Sequence, residues 1–349
     1  MAVADPASAT TGEVRPAPGP FRQNETRPSP HLPLASGPAR DDTAVMVAFA
    51  KEAPALGGEA APTGEDSARQ EERHRSRPVR QGRLARLLRH LARDGIYWWY
   101  EARLLHEVRA AGRMPRHIGI ILDGNRRHGR DQGLRDFHSI YALGAGKLDE
   151  VLDWCAELGV GAVTLWVCST DNLSRPAAEV SGILAAIEAK MNSLAADPRI
   201  HRLGVRVQTI GRLDLLPPAL EAALARARAA TAANRQMTLT IAANYGGREE
   251  IADAMRSLLR ELAARGASPE EAAAAVTPEA IGRHLYSPDL PDPDLIIRTS
   301  GEVRLSGFLL WQSVYSEFHF TDVNWPAFRR IDLLRAIRIF QSRERRFGR

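Results

Sequence analysis

From residue 114 onward the chain alternates short apolar runs with longer stretches of helical periodicity. One run ends at Leu122, and others span Val160–Cys168, Val205–Ile210, Met237–Ala243 and Leu295–Thr299. They are too short for helices and nearly continuous in apolar residues, the pattern of strands buried on both faces. The segments around 143–158, 177–196, 217–233, 247–265 and 327–345 carry apolar residues at helical spacing. This alternation predicts an α/β fold, a central parallel sheet flanked by helices. Roughly 235 residues is a reasonable size for one such domain.

Upstream the pattern changes. Residues 1–79 are rich in Ala, Pro, Gly, Glu and Arg with few large apolar side chains, which predicts a disordered N-terminal extension. Residues 80–113 place Leu84, Leu87, Leu88 and Leu91 at helical spacing among arginines, followed by Tyr97-Trp98-Trp99-Tyr100. Such a basic amphipathic helix either lies on an anionic bilayer or packs on the body with a solvated arginine face. The expected organisation is therefore 1–79, 80–113 and a folded domain over 114–349.

Charge and composition narrow the partners. A formal net charge of +5 suits anions such as diphosphates or an acidic membrane surface. No nucleic-acid module accompanies that charge, so nucleic acid is not expected. The two cysteines, Cys155 and Cys168, have no metal-type spacing. A disulfide framework is not expected, and the cytoplasm is the default location. No apolar run approaches the roughly 18 residues of a spanning helix, and the N-terminus lacks the basic-then-apolar start of a signal peptide.

The chemistry gathers where apolar runs stop. After Leu122 come Asp123-Gly124-Asn125 and the arginines Arg126, Arg127 and Arg130. The C-terminal edge of an open α/β sheet is where ligands bind. A carboxylate beside arginines suits a multiply charged anion arriving with a divalent metal, with Asp123 for the metal and Arg127 and Arg130 for phosphate oxygens. An ordinary Asp-Gly turn on a solvated basic face is the alternative. After Cys168 come Ser169, Asp171, Asn172 and Arg175, then Pro176 and a helix start, which suits phosphate, an N-cap turn, or both. After Ile297 come Arg298, Arg304 and Ser306 in a glycine-containing loop, a second anion cradle. Glu317 interrupts an apolar stretch, so its charge should be paired with an arginine or linked to metal. Gly144-Ala145-Gly146-Lys147 lacks the full phosphate-loop pattern and serves close helix packing instead.

In this order Ile121-Leu122-Asp123-Gly124-Asn125-x-Arg127, Ser169-x-Asp171-Asn172-x-x-Arg175-Pro176, Ala243-Asn244-Tyr245-Gly246-Gly247-Arg248, Ile297-Arg298-Thr299-Ser300-Gly301-Glu302-x-Arg304-x-Ser306 and Glu317 resemble the cis-prenyltransferases, the undecaprenyl diphosphate synthase family. The closing Arg345-Arg346-Phe347-Gly348 matches too, and the likeness covers about residues 114–349. It is nearest to the actinobacterial branch with its short-chain Z-prenyl diphosphate synthases. The resemblance implies a homodimer with a hydrophobic tunnel, which condenses isopentenyl diphosphate with an allylic diphosphate, assisted by Mg²⁺, to form a Z double bond.

It also implies roles. Asp123 binds the metal, helped by Glu317. Asn125 assists departure of the allylic diphosphate or the later proton loss. Arg127 and Arg135 clamp the allylic diphosphate with backbone groups around Gly124. Ser169 and Asn172 line the reacting carbons. Arg175, Arg298, Arg304 and Ser306 bind isopentenyl diphosphate, and Arg346 and Gly348 reach the partner subunit's site. Asp171, Leu173, His128 and Val303 depart from the family's usual residues, mainly near the allylic site, and His138 or Tyr141 stands for a family histidine. Val167 replaces a small tunnel residue, which points to a short or medium product. Two alternatives stay open: irregular head-to-middle coupling of dimethylallyl diphosphate, and a non-catalytic partner subunit.

Overall fold

A computed structural model describes Gly95 and residues 97–343. The expected extension 1–79, the arginine-rich half of the 80–113 segment, Arg346 and Gly348 lie outside the described residues. Residues 97–110 form a helix, α1. Six strands follow: β1 (His117–Ile121), β2 (Ala162–Trp166), β3 (Val205–Ile210), β4 (Met237–Ala242), β5 (Leu295–Arg298) and β6 (Glu317–Phe320). They form one parallel sheet in the order β3-β4-β2-β1-β5-β6. The five apolar runs are β1 to β5. β6 is additional: Glu-Phe-His-Phe is neither continuously apolar nor cleanly alternating, and all four residues are half-buried, as at a sheet edge.

The helices that frame the site are α2 (Asn125–Asp131), α3 (Phe137–Glu157), α4 (Ala177–Ala196), α5 (Pro198–Arg202), α6 (Pro218–Ala230), α7 (Gly247–Ala264) and, after two short helices α8 (Pro269–Ala275) and α9 (Pro278–Arg283), α10 (Arg330–Ser342). α3 starts six residues before the predicted segment because Asp136 caps it, accepting from Ser139 N at 2.7 Å.

Side chains alternate across each strand, so the two sheet faces differ. Ile118, Ile120, Val163, Leu165, Leu239, Ile241 and Ile297 point into the main core with α1, α3, α4, α6 and α10. The opposite face holds a smaller core around Ile121, Ala242, Tyr245, Ile296 and Phe308. Farther down, that face is polar, with His117 Nε2 2.8 Å from Thr164 Oγ1. Cys155 and Cys168 are both buried and free.

The chain leaves β1 toward β2, and later returns to β5 on the other side of β1. The loops after β1 and β5 therefore diverge at a switch in strand order, and the crevice beyond their C-terminal ends is the natural ligand site of such a sheet. Ile121 and Arg298 are register neighbours there.

Candidate active site

Backbone geometry shapes the first loop. Gly124 has φ +96°, and a Cβ there would lie 2.9 Å from the Asn324 Cα, so the turn after Asp123 requires glycine. Asp123 N donates to Thr299 Oγ1 at 2.9 Å, and Trp325 N donates to Asp123 O at 2.9 Å, which clamps the loop to β5 and to the segment before α10. Asp123 Oδ1 accepts from Gly124 N at 2.7 Å, and Oδ2 accepts from Arg298 Nη2 at 2.8 Å. The Arg298 side chain is only 5% exposed, so this is a nearly buried cation held by a carboxylate that itself reaches the cavity. Its other nitrogen donates to Ser306 Oγ at 2.8 Å and to Arg304 O.

Ser300 and Ser306 both have positive φ, 80° and 53°, a costly backbone for a serine that persists where the surroundings enforce it. Those bends turn the 298–306 loop back over β5. Arg127 Nη1 donates to Ser300 O at 2.8 Å and to Ser300 Oγ at 3.0 Å, joining α2 to the same loop. Glu302 pairs with Arg304 and stands 3.8 Å from Arg127.

On the other wall, Ser169 Oγ accepts from Asn172 N and Asn172 Oδ1 accepts from Ser169 N, both at 3.2 Å. This reciprocal cap fixes the loop after β2, so the capping reading of that motif is correct and leaves Arg175 available. Arg175 Nη1 donates to Glu179 Oε1 at 2.8 Å, and Tyr141 OH donates to the same oxygen at 2.8 Å. Arg126 Nη1 lies 3.3 Å from Glu179 Oε2. Burial and the Glu179 hydrogen bond push the Tyr141 phenol above its ordinary value, so it stays a donor at neutral pH.

These loops enclose a cavity of about 520 Å³ lined by Asp123, Gly124, Asn125, Arg127, Val167, Ser169, Asp171, Asn172, Arg175, Arg298, Arg304 and Ser306. Twelve of the sixteen sequence-predicted residues thus meet in one place. Arg126, Arg130 and Glu302 line it as well. A narrower apolar cavity continues from it between α3, α4 and the sheet, and Leu122, Asn125, Tyr141, Val167 and Ile183 line both.

Two predicted residues are not brought there. Arg135 sits exposed in the loop between α2 and α3 and is not part of the lining. Glu317 begins β6 beside Leu295, three register positions before the neighbour of Arg298. At about 3.3 Å per residue that is roughly 10 Å down the sheet, and Glu317 pairs instead with Arg343. One chain therefore does not join Asp123 and Glu317 in a two-carboxylate metal centre. Among the described residues no group of three His, Cys, Asp or Glu could hold a metal.

Glu179, Tyr141 and Gly144 are the residues that sequence reasoning undervalued. A Cβ on Gly144 would run into Asn125 Oδ1 and lie 3.2 Å from Trp325 Cδ1, so the glycine makes room for Asn125 at the junction of the two cavities. The Asn125 amide donates to Leu122 O at 2.9 Å while its buried Oδ1 has no protein partner.

The family model described as putative undecaprenyl diphosphate synthase matches residues 121–348. The chain belongs to this family. It is 55% identical over 266 residues to an isoprenyl transferase of Deinococcus radiodurans, covering 76% of this chain and 97% of that one. It is 49% identical over 258 residues to a (2Z,6E)-farnesyl diphosphate synthase of Thermobifida fusca, covering 74% and 99%. Lavandulyl diphosphate synthase from Lavandula x intermedia, solved with dimethylallyl diphosphate, superposes with a TM-score of 0.61 at 29% identity, over 68% of this chain and 99% of that one. The resemblance carried by the five motifs is thereby confirmed, with its fold and its enzyme class, the cis-prenyltransferases.

Proposed function

We propose that the chain condenses isopentenyl diphosphate with an allylic diphosphate to give a Z-configured prenyl diphosphate. The observation that carries this is a cavity rimmed by arginines from three loops and opening directly onto an apolar channel. The cations bind diphosphate and the channel takes hydrocarbon. Departure of the allylic diphosphate leaves a cation in a dry site, and fixed arginines stabilise the anion that forms. Arg127, at the α2 wall with Gly124 N–H nearby, fits the allylic diphosphate. Arg298, Arg304 and Ser306, joined to one another, fit the isopentenyl diphosphate with Arg175 opposite. Asn125 lines both the diphosphate cavity and the channel, which places its side chain beside the point where the substrates join. No protein nucleophile is required.

The Asp123 carboxylate beside a phosphate-binding rim fits Mg²⁺, which is usually held by one or two carboxylates and substrate phosphates. Asp123 would hold it, and the ion would neutralise charge on the leaving diphosphate. Chain organisation follows the same reading, with the catalytic domain over 114–349. A homodimer is supported by Val303 and Val314, exposed apolar side chains in the segment between β5 and β6. Peripheral membrane contact through residues 80–113 is supported by exposed Trp98 and Trp99, and cytoplasmic placement by the free Cys155 and Cys168. Among the described residues no helix is long and apolar enough to cross a membrane.

Pure protein with Mg²⁺, isopentenyl diphosphate and dimethylallyl, geranyl or farnesyl diphosphate should yield Z-products, identified by mass and double-bond geometry. A branched product from dimethylallyl diphosphate alone would replace this reading with irregular coupling. No product with any primer would leave a partner subunit.

A further inference from the structure

Among the described residues, Lys190 on α4 is the one lysine, arginine or carboxylate side chain in the wall of the apolar channel. Ile183, on the same helix, lines both the diphosphate cavity and the channel, whereas Lys190 lines only the channel. Seven residues at about 1.5 Å per residue put Lys190 roughly 10 Å beyond Ile183. The Lys190 side chain is 10% exposed, and its Nζ lies 2.7 Å from Asp149 Oδ2 on the facing helix α3. Asp149 is 40% exposed, so the pair stands where the channel nears the surface. Arg199 of α5 holds Asp149 in place through its carboxylate and, at 2.9 Å, its backbone carbonyl. Arg199 is anchored in turn by Asp153 at 3.0 Å and Asp197 at 3.4 Å.

We propose that the Lys190–Asp149 ion pair, bridging α3 and α4, is the floor of the channel and sets the maximum length of the product. This rests on the prenyl-condensing reading above. A hydrocarbon tail that grew past Lys190 would have to part the pair or lie against a desolvated ammonium, and both are unfavourable. Carbon–carbon bonds of about 1.5 Å give roughly 5 Å per isoprene repeat, so the distance from Ile183 to the pair corresponds to the length of about two repeats. Val167 narrows the mouth of the channel, whereas Lys190 closes its end. Asp149 acts as a positioning residue: it keeps the ammonium across the channel.

The test compares product lengths of the full chain and its Lys190→Met, Lys190→Arg and Asp149→Asn variants, with isopentenyl diphosphate and each allylic primer, by mass spectrometry. Lys190→Met keeps an unbranched side chain of similar length without the charge. It should add at least one five-carbon unit to the main product, while kcat/KM of the first condensation changes less than about threefold. Lys190→Arg should keep the parent length, and Asp149→Asn should broaden the distribution toward longer products. Thermal melts identify any variant that fails to fold, and Asp149→Asn then decides alone, since it replaces a partly exposed carboxylate by its isostere. Unchanged lengths in folded, active Lys190→Met or Asp149→Asn overturn the floor and leave the prenyltransferase reading intact. A parent chain that makes no Z-product overturns both.

Discussion

Replacing Asp123 separates its structural duty from its chemical one. Asp123→Ala deletes the acceptor of Arg298 Nη2 at 2.8 Å and of Gly124 N at 2.7 Å. A hydrogen bond to a charged group is worth about 1.5–3 kcal/mol, and a neutral one about 0.5–1.5 kcal/mol. Arg298 keeps Ser306 Oγ and Arg304 O, so the cation is not stranded. The expected cost is about 2–4 kcal/mol, against the roughly 5–15 kcal/mol of a typical domain. At about 2–4 °C per kcal/mol for this size, the melting temperature should fall by roughly 4–16 °C and the fold should survive. Turnover should fall much further, by about 10³ or more, because an aligned charge in a water-excluded site acts on the transition state. Asp123→Asn keeps an oxygen for Gly124 N and loses the charge. It should recover about 0.5–1.5 kcal/mol of the stability and little of the rate. Steady-state kinetics and calorimetry on the two variants decide the matter. Near-parental kcat in folded Asp123→Asn would refute the argument that the carboxylate charge drives the reaction.

Three further outcomes follow from the geometry. Val167→Ala opens the wall shared by the two cavities and should lengthen the product, read by mass spectrometry; an unchanged product removes Val167 from the constriction. Gly144→Ala should displace Asn125 and cut kcat at least about tenfold with a melting temperature within a few degrees of the parent; full activity would show that Asn125 needs no such room. Burial lowers the His117 pKa, so the unfolded chain takes up a proton below about pH 6.5 that the folded chain resists. Stability due to His117 is complete above that value and is lost as pH falls toward the lower folded pKa, by up to about 1.4 kcal/mol per pH unit. Urea midpoints at pH 7.5 and 5.5 should converge in His117→Asn relative to the parent; His319, shifted the same way, keeps part of the slope. Equal slopes in the two proteins would count against His117.

Much of this fold is visible in the order of residues because parallel strands buried on both faces must be apolar nearly throughout, as β1 to β5 are. β6 escapes because an edge strand of four half-buried residues carries no such signature. α2 escapes too: Asn-Arg-Arg-His-Gly-Arg-Asp is short, basic and contains glycine, and it forms because the preceding turn and the clamp on Ser300 hold it. The same divide runs through the site. Residues just after apolar runs were legible, since topology alone sends those loops to one edge. Glu179 was not, because a glutamate within a helix reads as solvated, and only the fold turns it onto Arg175, Arg126 and Tyr141. Glu317 is the opposite case. Its apolar neighbours make it stand out in the sequence, and the direction and register of β6 put it at the end of the strand away from Arg298, paired with Arg343.

The arginines of the rim share an arrangement that bears on how the site works. Arg298 is tied to Asp123, Arg304 to Glu302, Arg127 to Ser300 and Arg175 to Glu179. Each cation is thus held in place by an acceptor on the protein before any diphosphate is bound, so little conformational entropy remains to be lost when the substrate's oxygens arrive. The ties differ in strength. Arg175 leans on a carboxylate that is 2% exposed and shared with Arg126 and Tyr141, so it is fixed on three sides. Arg304 pairs with a Glu302 that is about one-third exposed, and its own side chain is 60% exposed, a pairing that solvent weakens. The 298–306 loop therefore combines a rigid base at Arg298 with an adjustable tip at Arg304. Each condensation releases one diphosphate and the next admits another, and an adjustable tip over a rigid base would let the loop accommodate that exchange without loosening Asp123.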